Sequence, residues 1–133
     1  MTSTTTPALR VMRILSALVL LTTGGIHLFL VFAGVGGILG VMFVLNAVAA
    51  LVLAVGMLVL HGRLAQAATV LSLLFLIATL GALLLALTVG LFGITEVWTF
   101  TLVPQTVVVE SIGIVVLAVT TVLVLRSGSP ARR

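Results

Sequence analysis

Residues 38–60 read ILGVMFVLNAVAALVLAVGMLVL, and this stretch decides the fold class. It contains no charged residue, and its one strongly polar side chain is Asn46. The hydrocarbon core of a bilayer is about 30 Å thick, and a helix needs roughly 20 apolar residues to cross it. Residues 38–60 are long enough for that crossing, and their continuous apolar run is typical of a membrane span. They are therefore predicted to form a transmembrane helix.

Three further stretches have the same character, at residues 11–32, 67–91 and 105–125. The segments between the four spans are short, so consecutive helices are expected to run in opposite directions. The predicted fold class is all-α, an up-down antiparallel bundle of four transmembrane helices over residues 10–126. Residues 1–9 are predicted to be a disordered tail, and residues 127–133 a basic tail.

The composition supports a membrane protein and excludes several other classes. Hydrophobic residues make up 62% of the chain and charged residues 6%, against roughly 45–50% and 25% in soluble domains. So few charged residues cannot cover the surface of a soluble protein. The lipid bilayer is therefore the expected partner of this protein's surface. The basic residues do not cluster with aromatic residues, which argues against a nucleic-acid partner. Because the chain has no cysteine, disulfides and thiolate metal sites are excluded.

The positions of the basic residues predict the orientation. All six lie before the first span, between the second and third, or after the fourth: Arg10, Arg13, Arg63, Arg126, Arg132 and Arg133. The other two connections, residues 33–37 and 92–104, contain no basic residue. Because basic residues accumulate on the cytoplasmic side, both termini are predicted to be cytoplasmic in a multi-pass protein of the plasma (inner) membrane. The first span is expected to be retained, since its apolar run exceeds the length of a signal-peptide core.

Small residues recur at helical spacing in two spans: Ala78, Ala82, Ala86 and Gly90 in the third, and Ala47, Ala50 and Ala54 in the second. In lipid, helices associate where small residues let their backbones approach closely. Both stripes are therefore expected to be helix contacts within the bundle. Contact with a second copy of the chain is the next interpretation, and other membrane subunits are a further kind of partner.

Four polar residues are predicted to form a layer within the membrane. Glu110 lies about 8 Å along the fourth span, and His27 lies at a similar depth in the first. Spans one and four are neighbours in an up-down bundle, so His27 and Glu110 are expected to pair. Asn46 can approach the same layer, and Gln105 can lie above it. Ionisable groups at such depth usually mark a functional site, but the pair can equally be a structural lock.

The remaining polar residues are expected to have no role in a site. Glu96, in the connection between spans three and four, is expected to be solvated. Thr23 and Thr79 can bond to their own helix backbone. His61 lies at the opposite end of the membrane from His27, which excludes a haem held between the two histidines.

Three segments carry a resemblance to a known family: GGIHLFL at residues 24–30, LFGITE at 91–96 and VVVESIGIVVLAV at 107–119. In a four-helix chain of this length they resemble small DoxX-like bacterial membrane proteins. The resemblance covers the architecture of the whole chain. It implies an association with quinone-linked redox complexes, and it makes His27 and Glu110 candidates for a quinone headgroup site. The chain departs from the family's pattern in the second span, where Asn46 stands in place of an expected acidic residue.

Three functions are compatible with these observations. The first is a non-enzymatic accessory or structural subunit of a membrane complex, which fits the short connections. The second is the quinone-linked redox subunit that the resemblance implies. The third is a small proton-coupled transporter acting as a homodimer, although small multidrug transporters carry their carboxylate in the first helix and Glu110 is in the fourth. An enzyme acting alone is disfavoured, because the chain offers no nucleophile–base or metal-ligand arrangement.

Overall fold

The computed structural model describes residues 5–129, and they form four long helices. These are α1 (Pro7–Phe32), α2 (Gly37–Val59), α3 (Gly62–Thr88) and α4 (Val103–Ser127). Each is long and apolar enough to cross a membrane, and no strand occurs in the described part of the chain. The predicted all-α bundle of four apolar helices is confirmed. Residues 1–4 and 130–133 of the two predicted tails lie outside the described residues.

All four helices begin earlier than their predicted spans, and the difference is largest for α1 and α3. α1 starts at Pro7, so residues 7–9 of the predicted disordered tail are helical. Proline suits the first turn of a helix because that turn needs no N–H from it, and the Thr6 hydroxyl caps the turn by accepting from the Leu9 amide at 3.3 Å. α3 starts at Gly62, so Arg63 lies in its first turn and not in a connection. α4 carries Pro104 in its first turn, where a helix accepts proline.

The helices form a closed ring in chain order. α1 contacts α2 and α4, and α3 contacts α4 and α2. One end of the ring carries Arg10, Arg63 and Arg126, and we call it the basic end. The opposite end carries the connections at residues 33–36 and 89–102, and we call it the loop end. The apolar residues on the outside of the ring are widely exposed, as a surface that contacts lipid requires.

Close backbone approach holds α1 against α2. A Cβ atom added to Gly24 of α1 would lie 2.9 Å from the Cβ of Ala50 and 3.4 Å from the backbone oxygen of Ala47. Ala50 is fully buried, and Ala54 is 1% exposed. The small-residue stripe predicted on the second span is therefore a contact within the bundle, as expected.

A second close approach joins three helices. A Cβ atom on Gly113 of α4 would overlap the side chains of Val19 on α1 and Leu76 on α3. Nearer the basic end, the hydroxyls of Ser16 and Thr120 lie 3.0 Å apart and link α1 to α4. Both of these residues are fully buried. The core is therefore tight in the middle of the bundle and towards the basic end.

Candidate functional site

A cavity of about 260 Å³ lies within the loop-end half of the bundle. At the basic end α2 and α3 pack closely, and the Thr69 hydroxyl donates to the Met57 sulfur at 3.6 Å. Towards the loop end, no residue of α2 between Gly40 and Ala50 is buried. The cavity is lined there by the facing parts of α2 and α3, with contributions from α1, α4 and the 89–102 connection. The site thus occupies the space where the second and third helices do not pack together.

The small residues of α3 differ from their predicted role. Ala78, Ala82 and Ala86 line the cavity, whereas a seam against a neighbouring helix was expected. The small size of the side chains explains both the helix contact on α2 and the cavity wall on α3. A short side chain either lets another backbone approach or leaves an empty space. Here the third-helix stripe leaves space, and it sets the width of the cavity.

Glu110 is the most deeply buried polar residue of the cavity, with 1% of its surface exposed. Neither of its carboxyl oxygens has a hydrogen-bond partner among the described residues. The hydroxyl of Thr79 lies near this carboxyl, and it donates to the backbone oxygen of Leu76 at 3.1 Å. A buried carboxyl without a partner costs free energy, and such groups are rare outside functional sites. Glu110 therefore marks the cavity as a candidate binding site.

His27 lines the same cavity from α1. Its Nδ1 lies 2.9 Å from the backbone oxygen of Thr23, and because a carbonyl oxygen only accepts, Nδ1 must carry the hydrogen. In neutral His27 the other ring nitrogen, Nε2, is then a hydrogen-bond acceptor. The ring is also held edge-to-face against Phe43, with the ring centroids 4.9 Å apart. His27 is thus fixed in orientation by two neighbours.

The predicted His27–Glu110 pair is not formed, since neither carboxyl oxygen has a partner within residues 5–129. The two side chains line one cavity, as their matched depth predicted, but no hydrogen bond joins them. Asn46 lines the cavity as predicted, and its Oδ1 also lacks a partner. The structure therefore brings three of the four predicted residues to one cavity, without the predicted contact between His27 and Glu110.

Gln105 does not belong to the site. It is exposed, and it does not line the cavity. At 3.6 residues per turn, Gln105 points about 140° away from Glu110 around the helix. Thr106 is one residue further along and lines the cavity in its place.

The connection between α3 and α4 folds back over the cavity. The backbone N–H of Glu96 donates to the oxygen of Ala86 at 2.9 Å, and Leu91 and Ile94 exchange two backbone hydrogen bonds of 2.8 Å. Glu96 consequently lines the cavity and is partly exposed, a position that the expectation of a solvated loop residue did not include. The glycines at positions 90 and 93, which both have positive φ, are the signal in the sequence that this segment turns back.

Charge is distributed unevenly around this site. Glu96 and Glu110 are the only acidic residues in the chain, and both line the cavity. The rest of the lining contains no arginine and includes three aromatic rings: Phe43, Phe75 and Phe100. No group of three His, Asp or Glu residues within residues 5–129 could hold a metal ion. The cavity can therefore bind a ligand through hydrogen bonds, through its acidic side chains and through contact with its apolar walls.

Two residues that line the cavity, Met42 and Thr101, are also exposed at the surface of the bundle. Met42 lines it and is 36% exposed on α2, beside Val41 and Leu45, which are 56% and 63% exposed. This side of the cavity therefore faces the apolar outside of the bundle. Thr101 lines the cavity and is exposed at the loop end. A ligand could thus enter from the lipid, and small polar molecules from the loop end.

The chain matches no protein-family model, no curated protein and no solved structure. The DoxX-like resemblance therefore stays a prediction, and the function has to be argued from the cavity.

Proposed function

We propose that this protein is a non-catalytic subunit of a membrane complex that binds the headgroup of a membrane-soluble quinone in the loop-end cavity. One observation carries the proposal. The buried Glu110 carboxyl and the Asn46 Oδ1 atom have no partner in the described protein, and both line one cavity. A ligand that bonds to them would offset the cost of their burial.

The dimensions of the cavity suit a headgroup better than a whole lipid-like molecule. Its volume of about 260 Å³ is below the roughly 300–1,000 Å³ of pockets that enclose drug-sized ligands. A ring could fill the cavity while an isoprenoid tail leaves beside Met42 into the lipid. The three phenylalanine rings of the lining offer apolar contact to the flat faces of such a ring.

The polar groups also match this ligand class. A quinone supplies carbonyl oxygens that accept hydrogen bonds, and its reduced form supplies hydroxyls that donate them. Glu110 in its acid form and the amide nitrogen of Asn46 can donate to the former. The Nε2 atom of neutral His27 can accept from the latter. The site could therefore hold both forms of the ligand without performing the chemistry itself.

Glu110→Leu is expected to weaken quinone binding at least tenfold, because it removes a hydrogen bond to a group that is buried in the cavity. The fold should be at least as stable as wild type, since leucine replaces a carboxyl that has no protein partner. Binding would be measured with a short-chain quinone, as quenching of the fluorescence of Trp98, the only tryptophan of the chain. Native mass spectrometry of gently extracted protein would detect bound quinone and any partner subunit together.

The matched control is Gln105→Leu, which removes an exposed polar side chain from the same helix. It should bind quinone as the wild type does. Failure of the wild-type protein to carry or bind quinone would overturn the proposal. So would full binding by Glu110→Leu, because the cavity would then not hold the headgroup.

A second candidate is a proton-coupled transporter of organic cations that acts as a homodimer. The placement of both acidic residues beside three aromatic rings favours it, since cations are attracted to carboxylates and to ring faces. Tetraphenylphosphonium is the probe that separates the two functions. Binding of this cation, lost in Glu110→Leu and in Glu96→Gln while quinone does not bind, would favour the transporter.

We also propose that the protein lies in the plasma (inner) membrane with its basic end in the cytoplasm, as the six arginines indicate. The cysteine-free sequence makes labelling of single introduced cysteines specific. In intact cells, a membrane-impermeant maleimide is expected to label Thr95→Cys and to leave Ser129→Cys unlabelled until the membrane is opened. Both positions are exposed, and the reverse pattern would refute this orientation.

A further inference from the structure

We infer that a groove between α1 and α2 at the basic end binds the phosphate headgroup of an anionic phospholipid. The groove has a volume of about 290 Å³. Its polar lining includes Arg10 and Arg13 of α1 and His61, which precedes α3. This site is separate from the loop-end cavity and does not depend on the function proposed for it.

Arg13 is held in place by the neighbouring helix. One of its terminal nitrogens, Nη2, donates to the backbone oxygen of Leu60 at 2.6 Å. Leu60 caps the end of α2, where carbonyl oxygens lack partners within their own helix. The guanidinium group has five N–H donors, and the contact with Leu60 uses one of them. Arg13 therefore lies in the groove with further N–H donors that the contact with Leu60 does not use.

The chain provides no acidic side chain to neutralise this groove. Its only two acidic residues, Glu96 and Glu110, line the cavity in the other half of the bundle. Arg10 and Arg13 must therefore find their counter-charge outside the protein's own side chains. A phosphate group fits because it accepts several charge-assisted hydrogen bonds from guanidinium groups.

The surroundings of the groove indicate that the phosphate belongs to a lipid. Ile14 and Leu58 also line it, and they are 44% and 51% exposed on the apolar outside of the bundle. An acyl chain can lie along these side chains while its headgroup reaches the arginines. Basic pockets between transmembrane helices bind anionic headgroups in this way.

The test compares lipid retention by the full chain reconstituted in a mixture of phosphatidylglycerol and phosphatidylcholine. Lipids that stay bound would be counted by native mass spectrometry. Wild type is expected to retain phosphatidylglycerol preferentially. Arg10→Gln and Arg13→Gln should each lower that preference about fivefold. An arginine near a lipid headgroup contributes roughly 1 kcal/mol to binding, which corresponds to about a fivefold change in affinity.

Arg63→Gln and Arg126→Gln are the matched controls, because these arginines lie at the same end but do not line the groove. They should leave the preference unchanged. Equal losses in all four variants would overturn the inference, since they would indicate a general surface attraction. Arg10 is exposed, so Arg10→Gln tests the site even if Arg13→Gln disturbs the Leu60 contact. Displacement of the lipid by inorganic phosphate alone would show that the groove takes free phosphate, and would also refute the lipid assignment.

Discussion

Gly113→Leu is expected to prevent the four helices from closing into their bundle. A Cβ atom at this position already overlaps the side chains of Val19 and Leu76. Leu76 is fully buried, and valine has little rotational freedom on a helix. Overpacking of this kind costs about 1–3 kcal/mol for small additions, and leucine adds a whole branched side chain. We expect loss of the thermal transition, or aggregation on size-exclusion chromatography, of the detergent-solubilised protein.

Gly81→Leu is the control for this prediction. Gly81 lies in the middle of α3, and a Cβ atom there would meet no atom within 4 Å. This variant should fold and remain monodisperse to the same extent as wild type. Equal stability of the two leucine variants would mean that α1, α3 and α4 do not meet closely at Gly113.

Ala82→Phe is expected to abolish quinone binding while the bundle stays folded. Ala82 lines the cavity, and a phenylalanine ring there would occupy the space that a headgroup needs. Filling a cavity usually leaves stability unchanged or raises it, so the thermal transition should not fall. The two measurements are Trp98 quenching by a short-chain quinone and the melting temperature in detergent.

Leu85→Phe is the matched control for the filled cavity. Leu85 is on the same helix and is 46% exposed on the outside, so the new ring would contact lipid. Quinone binding by this variant should equal that of wild type. If Ala82→Phe also binds normally, the headgroup lies elsewhere and the unpartnered Glu110 carboxyl needs another explanation.

The sequence predicted the fold well because hydropathy reports directly on the requirement to face lipid. It predicted the helix ends less well, since hydropathy does not measure helix formation. Pro7 disfavours the interior of a helix and Arg63 is charged, yet both lie in the first turn of a helix. A capping threonine before Pro7 explains the first extension in terms of backbone hydrogen bonds.

The sequence predicted how deep the residues of the candidate site lie in the membrane, but not which way their side chains point around each helix. Counting residues along each span placed His27, Asn46 and Glu110 at similar depth, and all three line one cavity. The same count could not show that Gln105 faces outwards, because depth says nothing about the angle around a helix axis. Nor could it show that His27 and Glu110 line one cavity without a hydrogen bond between them.

Glu96 was missed for a different reason. Its position depends on how residues 89–102 fold, and that fold rests on backbone hydrogen bonds such as the one from Glu96 to Ala86. Such bonds leave little trace in the composition of a loop. The glycines that flank the turn indicate that the chain changes direction, but they do not indicate that this segment covers a cavity.

The short connections have a consequence for how any ligand or partner finds this protein. The connections from Phe32 to Gly37 and from Val59 to Gly62 are only a few residues long, so they present very little of the chain to the water. A ligand that is dissolved in the membrane would therefore reach the helices by lateral diffusion within the bilayer. The occupancy of the loop-end cavity would then follow the number of quinone molecules per lipid. Diluting the membrane with added lipid would empty the cavity, whereas diluting the surrounding buffer would not.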